Sequence, residues 1–494
     1  MSIGLESSFS ILQRSPLDQA PIETPPGEGV PEAQPWVASR YNVQTRTEDG
    51  SLIVWNTQRG TISVFPPGQS QAVRSMLTKK GIEAPPEGIV KYLRDRGFLV
   101  KAGTDEYLLF QLAFGFQHYR ADSLELTLLA SEDCNFRCQY CYEQFRRGTM
   151  QPWVREGVKE LVRHRLPSLR RLVIGWFGGE PLYGLPAIEE LAPFFHQIAE
   201  ENSIAFTSHM TTNGYLLTPE VAEKLLSWRV TQYQITIDGA PADHDCKRPA
   251  RDGSGTFSQI FANLKSLRQR PENYTVDIRI NFDHENHPHL EEFLALLGEE
   301  FGGDRRFRLR FRPVGRWGGA NDSGLNVCGM DEATVVKNQL TEAARKQGID
   351  SADNASQLNR LGTQVCYAAR PYHFIIGSNG TVMKCTVDLD KEDRNVVGHL
   401  TQAGKLDLDA GKLALWTQPS FTSDPGCQKC VILPLCQGIS CPLARIRSNQ
   451  APCPPLKTNL KNELIAAHKF KMPVARSVLV GGGAEGPSCD PQPV

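Results

Sequence analysis

From Ser123 onward the hydrophobic pattern switches between two periods. Short apolar runs with a period of two alternate with longer stretches whose apolar residues recur every three or four positions. The runs Leu124–Leu129, Arg171–Phe177, Ile204–Thr212, Gln232–Ile237, Thr275–Phe282 and Arg306–Val314 predict strands. Between them lie the predicted helices Pro152–Arg165, Pro186–Glu200, Pro219–Trp228, Phe257–Arg268 and Pro288–Phe301. Strands joined by helices pair in parallel through right-handed crossovers. The predicted fold is therefore α/β, a partial (β/α)6 TIM-like barrel over residues 121–350, with the helix Glu332–Gln347 closing it. In such a barrel the functional residues lie at the C-terminal ends of the strands.

The flanks have different textures. Ser51–Asn56 and Gly60–Phe65 predict two strands, followed by helical stretches near Gln71–Lys79 and Gly88–Asp95, so residues 37–120 form a small α+β, winged-helix-like module. Residues 351–470 lack the alternation, but Phe374–Ile376, the turn Ser378–Gly380 and Thr381–Met383 predict a hairpin that brings Cys366 and Cys385 together. Residues 1–36, rich in proline, and the glycine-rich tail 471–494 are expected to be disordered, with Cys489 in the tail as a free thiol.

Composition narrows the function. The 494 residues carry 54 basic and 55 acidic side chains, so no global field draws the chain to nucleic acid or to a membrane surface. No apolar run reaches the length of a spanning helix and no signal peptide precedes the module, which points to a cytoplasmic enzyme. Most of the 13 cysteines fall in tight groups, a pattern that suggests metal binding rather than disulfides.

Cys134, Cys138 and Cys141 offer three thiolates directly after the first barrel strand. Three are one short of a closed structural zinc site, whereas an iron-sulfur cluster held by three cysteines keeps one iron open. Taken alone, the motif also admits buried thiols or half of a zinc site. Three further motifs fall at the same rim: Gly178-Gly179-Glu180-Pro181, Thr211-Thr-Asn213-Gly214 and Thr236-Ile-Asp238-Gly239. His244-Asp-Cys-Lys-Arg248 follows the last of them.

In this order the motifs resemble those of radical SAM enzymes. The resemblance implies a [4Fe-4S] cluster on Cys134, Cys138 and Cys141, with S-adenosylmethionine chelated at the open iron and cleaved to a 5′-deoxyadenosyl radical. It assigns Gly178, Gly179 and Glu180 to the methionyl amino group. Asn213, Thr236 and Asp238 are assigned to the rest of the S-adenosylmethionine site, and the His244–Arg248 segment to its surroundings, with Cys246 a lone thiol. Arg308, Arg310 and Arg312 share one face of the sixth strand. That face is ordinarily solvated or ion-paired, but its ends could also receive the methionyl carboxylate or an acidic peptide.

A second cysteine field, Cys366, Cys385, Cys427, Cys430, Cys436, Cys441 and Cys453, resembles the SPASM domain, which binds two auxiliary iron-sulfur clusters. The resemblance places Cys427, Cys430, Cys436 and Cys453 on the outer cluster and Cys366, Cys385 and Cys441 on the inner one. Cys328 is the nearest upstream candidate for a fourth inner ligand. Four residues separate Cys436 from Cys441 where the family usually has three, which leaves ligation there, and a zinc reading of Cys427 to Cys441, open.

The resemblance as a whole, from Ser123 to Cys453, implies an enzyme that oxidises a ribosomally made precursor peptide or a protein. The 37–120 module would grip the peptide as an added edge strand, and a flavodoxin or ferredoxin would supply the electron. The first alternative is an anaerobic sulfatase maturase that forms formylglycine. In that family an aspartate follows the second SPASM cysteine, whereas here Thr386 follows Cys385 and Asp388 is the only nearby candidate base. The second alternative is a metal-stabilised scaffold that binds peptide without chemistry.

Overall fold

A computed structural model of the chain describes residues 35–83, 87–145, 147–352, 362–389, 391–469 and 475–476. The leader expected at 1–36 and the tail at 471–494, Cys489 included, fall almost entirely outside these residues. No helix among the described residues is long and apolar enough to cross a membrane.

Six parallel strands in sequence order make the centre: β6 (Ser123–Ser131), β7 (Arg171–Gly178), β8 (Ala205–Thr212), β9 (Val230–Thr236), β10 (Thr275–Phe282) and β11 (Phe307–Pro313). They follow five short strands upstream, β1 (Trp36–Ala38), β2 (Asn42–Arg46), β3 (Leu52–Asn56), β4 (Thr61–Phe65) and β5 (Leu99–Lys101). The predicted barrel strands are all present, with ends displaced by two residues or fewer.

One face of each barrel strand packs against the helices. Leu124, Leu126 and Leu128 of β6 and Leu172, Ile174 and Trp176 of β7 join Val154, Val158, Ile188, Leu191 and Phe195 in a single core. On the inward face of β6, Glu125 pairs with Arg171 and Arg370 at 2.8 and 2.6 Å, and the Thr127 hydroxyl meets His373 at 3.1 Å. A carboxylate inside an otherwise apolar strand is stable there because two guanidiniums neutralise it.

The barrel's edges differ from expectation. The helix Met330–Lys346 does not close the barrel; it leads to a short strand, β12 (Asp350–Ser351), that pairs in parallel with β11. At the other edge β13 (His373–Ile376) pairs in parallel with β6 and begins the expected hairpin with β14 (Thr381–Met383). Strands β15 (Val396–Leu400) and β16 (Leu406–Leu408) extend it antiparallel, giving an open eleven-stranded sheet. The C-terminal region is thus hydrogen-bonded directly to the first barrel strand.

In the N-terminal module, β2, β3 and β4 form an antiparallel sheet. Leu52 and Val54 face the helices Pro67–Met76 and Gly88–Asp95, while Ile53 and Trp55 face Ile432, Leu435 and Leu464 of the cysteine-rich region. The first of those helices starts four residues earlier than predicted, because Pro67 suits its first turn. The edge of β4 carries a further parallel strand, β17 (Ala475–Arg476).

Candidate radical and auxiliary metal centres

The thiol loop leaves β6 at Ser131, whose hydroxyl accepts from Asp133 N at 3.1 Å, while the Asp133 carboxylate accepts from Cys134 N at 2.8 Å. The loop is then fastened to the segment after the fourth strand. Arg137 N donates to Pro249 O and Gln139 N to Lys247 O, each at 2.9 Å, and Arg251 N donates to Asn135 O at 2.8 Å. Beneath it the β7 turn comes within backbone distance. A Cβ on Gly178, at φ +135°, would lie 1.9 Å from Ser131 O, and one on Gly179 would lie 2.6 Å from Asp133 O and 3.1 Å from Cys134 Cβ. Both glycines are required because nothing larger lets the two turns meet.

Cys134 is 7% exposed, and Cys138 and Cys141 are partly buried. Burial pushes all three thiols up, Cys141 to about 12, while the Arg248 guanidinium pulls Cys138 back down. Such thiols give up their protons only to a strong cation. Phe136 N already donates to Cys134 Sγ at 3.3 Å, and Asn213 Nδ2 lies 3.9 Å from the same sulfur. Three thiols on one loop, one buried and two partly buried, with N–H groups aimed at sulfur, fit a cluster with one open iron.

The other rim residues form two braces around this loop. Glu180 is fully buried, and its carboxylate accepts from Leu182 N (3.0 Å), Thr212 Oγ1 (2.7 Å) and Asn213 N (2.7 Å). Burial pushes its carboxyl up against those donors, so an ammonium placed beside it would be held strongly. Asn213 Nδ2 also donates to Asn135 Oδ1 at 2.8 Å.

The second brace centres on Tyr140, which lies between two of the cysteines. Its hydroxyl donates to Asp238 Oδ2 and accepts from Arg248 Nη1 (2.7 Å) and Asn281 Nδ2 (3.0 Å). Asp238 Oδ1 in turn accepts from Asn281 N at 2.7 Å, and Asp238 N donates to His244 Nδ1 at 3.2 Å. Burial drives the His244 pKa down to about 2, which keeps the ring neutral and able to accept at Nδ1. Thr236, the last residue of β9, is buried at the same rim. Cys246 is exposed.

On β11, Arg308 and Arg310 pair with Asp277 of the neighbouring β10 at 2.6 and 2.7 Å, and Arg312 Nη1 donates to Phe311 O at 2.9 Å. The ordinary ion-paired reading of that strand face describes Arg308 and Arg310.

The C-terminal cysteines separate into the two expected groups. Cys427, Cys430, Cys436 and Cys453 line one cavity, where Lys457 Nζ lies 3.3 Å from Cys453 Sγ. Cys366, Cys385 and Cys441 lie elsewhere, within electrostatic reach of one another: burial, then Cys366, Asp388 and Cys441, push the Cys385 thiol up to about 12. Tyr367 and Thr386, the residues after the first two of these cysteines, share a hydroxyl hydrogen bond of 2.7 Å. Cys328 joins neither group; it sits beside His284 and Glu332.

Asp388 is placed for anchoring. Its carboxylate is held by Arg394 Nε at 2.6 Å and Arg447 Nη2 at 2.8 Å, and its side chain is 1% exposed. Asp388→Asn is expected to lower stability by about 1–3 kcal/mol, given that Arg394 is partly open and Arg447 exposed to solvent. S-adenosylmethionine cleavage should persist, as checked by thermal melting and 5′-deoxyadenosine assay.

Sequence reasoning did not find Asn281 or Asn286, and it gave Lys247 no role beyond its place in the His244–Arg248 segment. Asn286 Nδ2 donates to Asp238 O at 2.6 Å, and Lys247 pairs with Asp283 at 2.6 Å. The signal of the two asparagines was polar residues where β10 ends, legible only once the rim was built.

Residues 128–297 match the family model described as the radical SAM superfamily, a span that holds the thiol loop and both braces. The radical SAM cyclopropyl synthase TigE of Paramaledivibacter caminithermalis is 23% identical over 225 residues, 40% of this chain and 45% of the relative. The mycofactocin maturase MftC of Mycolicibacterium smegmatis is 26% identical over 185 residues, 37% and 43% of the two chains. The chain thus spans less than half the length of these curated relatives. Native anSMEcpe with bound AdoMet and Cp18Cys peptide shares the fold, with a TM-score of 0.54 and 18% identity over 70% of this chain and 97% of that one. The radical SAM domain binds a [4Fe-4S] cluster and S-adenosylmethionine, and the buried thiol loop suits both. By its matched strands and the motifs they carry, the segment 128–297 is a radical SAM domain, and a cysteine-rich region follows it.

Proposed function

We propose that the chain is a maturase that oxidises a side chain, by crosslinking or a related oxidation, in a ribosomally made peptide. The observation that carries this reading is the direct pairing of β13 with β6, which joins the hairpin between Cys366 and Cys385 to the strand that ends in the thiol loop. Cys134, Cys138 and Cys141 would hold the cluster that, with S-adenosylmethionine, supplies a hydrogen-abstracting radical, and the C-terminal cysteines would hold auxiliary clusters able to accept an electron. The residues of the chain supply the setting. Glu180 orients an amino group, Tyr140 and Asp238 fix the loop, and the barrel wall keeps water from the reacting centre. A flavodoxin or ferredoxin provides the reducing electron.

Peptide docking is assigned to the N-terminal module, at the edge of β4. That edge is competent for strand addition, because Ala475–Arg476 of the same chain pair with Ser63 and Val64 there. Truncation after Lys469 should therefore tighten peptide binding several-fold, as measured by fluorescence anisotropy.

Formylglycine formation is less well supported. Thr386, which follows Cys385, is bonded to Tyr367, and Asp388 is held between two arginines.

The reconstituted enzyme, given S-adenosylmethionine, dithionite and a short peptide encoded beside its gene, should return that peptide two hydrogens lighter. Turnover of a sulfatase-derived peptide in its place would overturn the reading. Formation of 5′-deoxyadenosine would exclude the chemistry-free scaffold.

A further inference from the structure

We propose that His284, Cys328 and Glu332 form a separate binding site for a zinc-type divalent cation, which fastens the loop lying over the thiol loop. The three side chains offer a ring nitrogen, a sulfur and a carboxylate oxygen, all within 4.8 Å of one another. Tetrahedral zinc with bonds of about 2.0 Å to nitrogen or oxygen and about 2.3 Å to sulfur needs its ligand atoms about 3.3–3.6 Å apart. Side-chain adjustment of an ångström or so completes that geometry.

Three local features prepare the site. Asp283 accepts from Glu285 N at 3.0 Å and Asn286 N at 3.2 Å, so the turn after β10 holds His284 in a fixed place. His284 N donates to Asn326 O at 3.2 Å and its Nδ1 meets Asn326 Oδ1 at 3.0 Å, leaving Nε2 to face Glu332 at 2.8 Å. An imidazole whose Nδ1–H is held by an oxygen acceptor presents Nε2 as a metal ligand. Cys328 and Glu332 are four residues apart across the start of the helix Met330–Lys346, a spacing that brings both to one side of it. Glu332 and His284 are 46% and 35% exposed, so an ion can enter and water can fill the fourth position.

The site joins the turn after β10 to the far end of the loop spanning residues 314–329. The middle of that loop touches the thiol loop: a Cβ on Gly319 would lie 2.5 Å from Cys141 O, and Asn321 Nδ2 donates to Gln139 O at 3.1 Å. An ion on His284, Cys328 and Glu332 would therefore fix the cover over Cys141 without entering either cysteine group.

The test uses the full chain with its clusters reconstituted anaerobically, incubated with Zn2+ or Co2+ and desalted. The wild type should retain one extra divalent ion per chain, and with Co2+ show a thiolate-to-cobalt charge-transfer band. His284→Ala and Cys328→Ser should each lose that ion and the band while their iron content stays at the wild-type level. Hydrogen exchange over residues 315–329 should slow on adding zinc in the wild type alone. Equal zinc retention in wild type and variants would overturn the proposal. So would loss of iron in Cys328→Ser, because that thiol would then belong to a cluster.

Discussion

Cys138→Ala is expected to yield a folded protein that carries no radical-generating cluster and forms no 5′-deoxyadenosine. The loss of activity is total because two thiols cannot hold the cluster with a single open iron. The fold persists because the loop does not depend on that sulfur for its shape: Arg137, Gln139 and Arg251 donate from their backbones across the loop boundary, and Tyr140 is held by Asp238, Arg248 and Asn281. Burial and the Asp238 carboxylate push this thiol up, so without metal it stays neutral and its removal leaves no buried charge unpaired. Iron analysis should show a deficit of about four atoms per chain, the content of one such cluster, with an unchanged circular dichroism spectrum. Residual 5′-deoxyadenosine would show that the thiol is dispensable.

Glu180→Ala should be the most damaging single change outside the cysteines. It strips the acceptor from Leu182 N, Thr212 Oγ1 and Asn213 N in a place that water does not reach. Each buried donor left unpaired costs about 1–3 kcal/mol, and relaxation into the cavity recovers part of the sum, so a net loss of roughly 3–5 kcal/mol is expected. Asn213 would lose its fixed position and with it the bond to Asn135 beside Cys134. S-adenosylmethionine affinity should fall at least tenfold, because about 1.4 kcal/mol is lost for each factor of ten. Equilibrium dialysis with labelled S-adenosylmethionine and a thermal melt separate the two effects. An unchanged melting temperature would refute the bracing role, and an unchanged affinity would refute the ligand role.

The barrel was legible because each of its strands carries an apolar face that must be covered, so the period of two survives in the sequence. The cysteine motifs were legible because their spacing is itself the constraint. What failed were features made by distant partners. The pairing of β13 with β6 depends on residues some 250 positions apart, and its register follows from the assembled sheet. Cys328 carries no local sign of its partner, because His284 lies at the end of another strand. The strand Asn42–Arg46 escaped because only Val43 on it is buried, which leaves no alternation to detect. The helix Glu106–His118 was a real omission: Phe110, Phe114 and His118 are spaced by four, the two phenylalanines pack on Phe421 and His118 stacks on Phe114, and that spacing was visible. The arginine face of β11 was read correctly in kind, but Asp277 could be named as the partner only once β10 and β11 were aligned.

The Tyr140 brace also bears on how the protein is assembled. A small zinc finger folds only when its metal arrives, so synthesis and loading are one event. Here hydroxyl, amide and guanidinium bonds hold the thiol loop to β10 and to the segment that follows β9. An unloaded chain is therefore expected to keep its final shape until iron is delivered, and one stripped by oxygen is expected to be refilled without passing through an unfolded state. Repair then becomes a matter of iron and sulfide supply rather than of refolding.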